Sequence, residues 1–253
     1  PAAEVSMRTS LYQGASAMTA ASDLARTART RQVGLAAALF VAPWLIVAAN
    51  TADTVMTLHG GDDLTPSHAL AVAAANPRLE PWANLAAMVG SMLLVPAVLG
   101  VMRVVRTGAA RLGLVGGVLM AAGYICYFGL VFQGETVDEM VKVGGSASQN
   151  IAILQASMDD HMMIWVPLVF VVGNFVGTFL LGLALLRSHT TPRWAGLGLL
   201  AWPIFHIFGI PGFEIVGAVA QAIGLAAVGI MVLREPTPQP VPDDQAPYEL
   251  LRK

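Results

Sequence analysis

Charge is scarce in this chain, and where it is missing says more than how little there is. Asp, Glu, Lys and Arg make up 12% of the residues, about half the roughly 25% of a soluble domain. They are wholly absent from six stretches, 32–52, 81–102, 112–134, 161–186, 194–213 and 215–233, each 19 to 26 residues long. A soluble helix of that length needs a charged face, so a soluble bundle is excluded. Cysteine is down to one residue, Cys126, which excludes an internal disulfide and any CxxC redox or zinc pair. Basic residues form no patch, so nucleic acid is not a partner. There is no Walker loop, GxSxG elbow, HExxH, DxDxDG or covalent haem motif. The expectation is therefore no metal and no cofactor, and an ATP-driven process would need a separate partner ATPase.

What is present is apolar: 56% hydrophobic residues and a mean hydropathy of +0.66. About 20 helical residues at 1.5 Å each cross the ~30 Å hydrocarbon core, so each uncharged stretch is long enough to span a bilayer. The connections alternate in charge. Of 14 Lys and Arg, 12 lie in the N-terminal tail, the second and fourth connections and the C-terminal tail, with Arg103, Arg106, Arg111, Arg187 and Arg193 in the short loops. Only Arg78 and Lys142 lie in the first and third connections, which carry nine acids, including Asp53, Glu80, Glu135, Asp138, Asp159 and Asp160. Positive loops stay cytoplasmic. The expected fold class is all-α, a polytopic bundle of six transmembrane helices with both termini cytoplasmic, in a bacterial cytoplasmic (inner) membrane.

Three segments follow: a flexible or amphipathic cytoplasmic tail over 1–31, a membrane domain over 32–233, and a Pro-rich cytoplasmic tail over 234–253. Arg26, Arg29 and Arg31 before the first run resemble a signal n-region, with Val47-Ala48-Ala49 as a cleavage site; the length of the run favours a retained signal-anchor. Two connections are longer than a turn requires. In the first, Thr65 caps a helix that Pro66 opens and Asn76-Pro77 stops. In the third, Gly144-Gly145-Ser146 precedes Ile151, Leu154 and Met158 at helical spacing. Both segments are expected as short interfacial helices. Gly209-Ile210-Pro211-Gly212 makes the fifth connection a tight hairpin. Small-residue seams for close helix approach run through Gly113, Gly117 and Ala121, through Gly173 and Gly177, and through Ala218, Ala222 and Ala226.

Chemistry inside the runs is sparse, which makes each polar residue informative. Glu214 opens the sixth run, with Gly217 and Gln221 on the same helical face. His206 lies in the fifth run, eight residues before Glu214, and Asn174 lies deep in the fourth. An ionisable group in a span faces protein or water, because lipid exposure costs several kcal/mol. Two readings stay open. In one, Glu214 and His206 share a polar cavity and exchange protons or hold a substrate; in the other, Glu214 caps its helix after Pro211-Gly212 and His206 bonds a neighbouring carbonyl. A second constellation is Asp159-Asp160-His161 at the start of the fourth run, with Glu135, Asp138 and Glu139 just beyond the third. With His59, Asp62, Asp63 and His68 it supplies enough ligands for a divalent cation, in a spacing that matches no metal motif, so a solvated acidic face is the simpler account. Candidate catalytic residues are thus Glu214, His206, Asp160 and His161, and candidate substrate-binding residues are Asn174 and Gln221.

Arg187-Ser188-His189-Thr190-Thr191-Pro192-Arg193-Trp194 is a basic loop closed by an interfacial Trp. This loop, with the six-run plan and the length of 253 residues, resembles uncharacterised six-helix actinobacterial integral membrane proteins of the domain-of-unknown-function type. The resemblance carries over no functional residues. Three functions compete: a permease, efflux or resistance component handling an amphiphilic small molecule or lipid; a membrane-embedded enzyme doing acid–base chemistry on a lipid or isoprenoid, as a cyclase or isomerase does; and a structural or assembly partner. Beyond the lipid bilayer and a hydrophobic or amphiphilic small molecule, a homo-oligomer or a partner ATPase fits the sequence.

Overall fold

A computed structural model describes residues 22–57, 65–161, 163–207 and 212–236, and for residues 2–21 the backbone alone. His59, Asp62 and Asp63 lie outside the described residues. Every regular element among those described is helical. In chain order they are α1 (Ala2–Thr57), α2 (Pro66–Ala75), α3 (Leu79–Val105), α4 (Ala110–Val143), α5 (Ala147–Asp159), α6 (Trp165–Val172), a π-helical turn (Gly173–Gly177), α7 (Thr178–Ser188), α8 (Arg193–Ile207) and α9 (Phe213–Arg234).

Among the described residues five helical stretches are long and apolar enough to cross a membrane: Ser22–Thr57, Leu79–Val105, Ala110–Val143, Trp165–Ser188 and Phe213–Arg234. Met92, Leu99, Leu114, Val118 and Ile125 are large, apolar and half or more exposed. Water does not tolerate so broad an apolar exterior, whereas lipid requires it. The chain is an all-α, multi-pass membrane protein. In the fifth apolar run α8 covers 15 described residues, and residues 208–211 lie outside the described residues.

The chain divides into two compact units, Leu35–Val232 and a smaller one made of Pro1–Gly34 with Leu233–Lys253. In the smaller unit Arg29 Nη1 donates to Gln32 Oε1 at 3.0 Å and to the Leu233 carbonyl at 3.3 Å. Gln32 Nε2 donates to the Glu235 carbonyl at 2.8 Å. Carbonyls at a helix C-terminus lack intrahelical donors, and a basic side chain there also meets the negative end of the helix dipole. These contacts supply both.

In the larger unit α4 is the central helix. It packs on α2, α3, α6, the π turn and α7, and its glycines explain how. Added Cβ atoms at Gly113 and Gly117 would strike Val105 and Met102 of α3. One residue round the helix, Gly116 and Gly123 lie against the backbone of Gly177, Leu181, Gly173 and Asn174. The seam of Gly113 and Gly117 thus serves α3, and a second seam, not singled out in the sequence, serves the fourth run. α4 also outlasts its apolar run by nine residues, from 135 to 143. There Val137 clusters with Ala73 of α2 and Leu154 of α5, so the extension is the post on which the two short helices rest. α2 starts as the sequence expects, with Thr65 Oγ1 accepting from His68 N–H; α5 starts at Ala147, where Ser146 Oγ accepts from Gln149 N–H.

Candidate functional site

The π turn at Gly173–Gly177 interrupts an otherwise continuous helix, and such bulges recur at functional positions. The local cause is close packing. At Gly173 a Cβ would collide with the Leu119 carbonyl and Gly123, and at Gly123 it would come within 2.9 Å of Asn174 N. Glycine at both positions lets the two backbones touch and carries Asn174 into the interior, where it is 2% exposed.

Asn174 joins a polar group in which no member is charged. Tyr124 of α4, 2% exposed, has the side chains of Asn174 and of Gln221 of α9 beside its phenol. Thr178 Oγ1 donates to Asn174 Oδ1 at 3.5 Å. Buried polar groups need partners, and this network supplies most of them. Two exceptions stand out: Gln221 Nε2 and Trp202 Nε1 are buried donors without a hydrogen-bond partner among the described residues.

Rings of α8 and the π turn adjoin this network. Trp202 stacks on His206 at 5.0 Å between centroids and 19° between planes. Phe175, next to Asn174 in the chain, meets Trp202 at 5.2 Å and His206 at 5.3 Å. The two candidate substrate-binding residues therefore come together through Tyr124, and His206 joins them through a ring cluster. Sequence reading missed Tyr124 and Trp202. The available signal was a phenol and an indole N–H deep inside uncharged runs, each of which must find a partner when buried.

Glu214 takes a different place. Its Oε1 accepts from the Gly212 N–H at 3.0 Å and from Thr54 Oγ1 at 3.1 Å. The chain turns at Gly212, whose φ is +85°, and the carboxylate then satisfies an amide at the start of α9 while tying it to α1. Glu214 and His206 interact electrostatically, while residues 209–211 of the expected tight hairpin lie outside the described residues. Asp160 and His161 are exposed, in the turn between α5 and α6.

The acidic ends of α3 and α4 hold a second polar group, in which Glu135 and Asp138 of the expected acidic constellation meet Asn84. Asn84 Nδ2 donates to Glu135 Oε2 at 3.3 Å and to Asp138 Oδ2 at 3.4 Å. Glu80 and Asp138 lie close enough to interact electrostatically. Among the described residues no set of three His, Cys, Asp or Glu side chains is arranged to hold a metal ion. No protein-family model, curated protein or solved structure matches this chain.

Proposed function

We propose that this protein is a bacterial inner-membrane permease, efflux or resistance component that holds an amphiphilic small molecule or lipid within its helix bundle. The observation that carries the reading is the uncharged polar network of Tyr124, Asn174, Thr178 and Gln221, set among apolar helices beside a π turn. Binding sites for small molecules are mostly apolar with a few placed polar groups, and irregular backbone within a membrane belongs where it is buried in protein or lines a cavity. In this reading the chain crosses six times, with α8 in the fifth crossing, both termini cytoplasmic and α2 and α5 along the outer interface. The alternating loop charges support that orientation, and the likeness to six-helix actinobacterial membrane proteins supports the bacterial setting.

The test is purification in mild detergent followed by mass spectrometry of bound small molecules. A stoichiometric amphiphile, lost in Asn174→Leu while the variant still inserts, is the expected result. A wild-type protein carrying nothing above the level of the Asn174→Leu variant would sink the reading. A second reading, acid–base chemistry on a lipid or isoprenoid, draws on the electrostatic interaction between Glu214 and His206. It expects Glu214→Gln to fold normally and lose turnover.

A further inference from the structure

We infer that Trp202 Nε1 and Gln221 Nε2 form a two-donor site for an uncharged carbonyl compound with a flat apolar body. This deepens the proposed function by giving the chemical class of its ligand, and it rests on that reading.

The two side chains belong to antiparallel helices in close contact. A Cβ at Gly217 would lie 3.0 Å from Trp202 Cα, one at Gly198 2.5 Å from the Ala220 carbonyl, and one at Gly224 2.6 Å from the Ala195 carbonyl. That register sets Trp202 beside Gly217 and puts Gln221 one turn further along α9. Helical side chains lean toward the N-terminus of their own helix. On antiparallel helices Trp202 thus leans toward the level of Gln221, and Gln221 leans toward the level of Trp202. Each residue is 4% exposed, and neither donor has a partner among the described residues. A buried N–H left unpaired costs about 1–3 kcal/mol, so two of them leaning together mark a place built for an acceptor.

The donor set selects the ligand. Indole N–H can only donate, so the ligand must bring an acceptor oxygen. No Asp, Glu, Lys or Arg occurs in 112–134, 161–186, 194–213 or 215–233, the runs that form the site. An anion there would be desolvated with no counter-charge, which leaves an uncharged oxygen. The adjoining rings of Phe175, Trp202 and His206 favour a planar body that can stack or meet them edge-on.

Menadione and 2-methylnaphthalene, which share a methylated two-ring frame and differ in the two carbonyls, separate this chemistry from plain apolar binding. Calorimetry on the full chain in detergent should show menadione bound at least about tenfold tighter than 2-methylnaphthalene, since the hydrocarbon leaves both donors unpaired. Gln221→Met and Trp202→Phe should each erase most of that margin, since each removes a donor that only menadione can use. Trp202→Phe keeps a ring in the cluster, so it serves even where Gln221→Met fails to fold. A phytyl-chained analogue of menadione tells a lipid-borne from a water-borne source, and a margin over 2-methylnaphthalene for either form that both substitutions erase upholds the two-donor site. Equal affinity for the two ring compounds, or a margin that survives both substitutions, overturns the inference while leaving an amphiphile-binding bundle intact. Absence of saturable binding by both compounds overturns it and, with an empty mass spectrum, the functional reading as well.

Discussion

At the scale of single residues, Glu214 separates a structural carboxylate from a chemical one. Its Oε1 serves two donors, Gly212 N–H and Thr54 Oγ1, and an amide oxygen can serve the same two. Glu214→Gln should therefore leave thermal stability in detergent nearly unchanged. Glu214→Ala, which strips both bonds, should cost about 1 kcal/mol, read as a lowered midpoint in a scanning fluorescence or calorimetric melt. Equal losses in the two variants would show that the charge, rather than the acceptor, matters there. The glycines at the π turn make a sharper case. Gly173→Ala drives a methyl into the Leu119 carbonyl and Gly123, and should cost about 1–3 kcal/mol by overpacking. Gly129→Ala meets nothing closer than 3.9 Å and should be neutral or slightly stabilising, because alanine is the better helix former. Melts of the two variants side by side check both expectations.

At the scale of the element, charge-free run length anticipated where helices lie better than how long they are. Asn76-Pro77 and Ser146 mark ends that local chemistry sets, and α2 and α5 begin and stop there. By contrast α4 continues nine residues past its apolar run because Val137 finds Ala73 and Leu154 to pack against, partners distant in sequence. The π turn was likewise illegible, because a sequence with glycines four apart, Gly173 and Gly177, reads equally well as regular α-helix. A π bulge holds one more residue than the α-helical turn it replaces. Deleting Val176, an exposed residue in that turn, should restore regular helix while α6 and α7 keep their faces. The variant should retain its helical circular dichroism but lose the preference for menadione over 2-methylnaphthalene by several-fold, since Asn174 is drawn away from Tyr124. An unchanged preference would mean that the bulge has no part in the site.

For the whole molecule, orientation is testable because the one native cysteine can be removed. In a Cys126→Ser background, Glu139→Cys should react with an impermeant maleimide added to intact cells. Arg106→Cys and Thr190→Cys should react only after the membrane is opened. Labelling of Arg106→Cys from outside would invert the topology and move Glu214 to the cytoplasmic half.

Run length, charge placement and cap chemistry are one-dimensional quantities, and they were enough to establish a helical multi-pass membrane protein, its short connecting helices and the rarity of polar groups inside it. The interior site is of another kind. Asn174 and Gln221 could be picked out because a polar side chain in an uncharged run is visible in the sequence. That Tyr124 joins them, that Glu214 spends its carboxylate on Gly212 and Thr54, and that Trp202 and Gln221 keep unpaired donors depended on which helix faces which. Those facings are decided by glycine contacts at Gly123, Gly173, Gly198 and Gly217 between segments far apart in the chain. Close packing is a property of pairs of surfaces, and only the tertiary structure brings the pairs together.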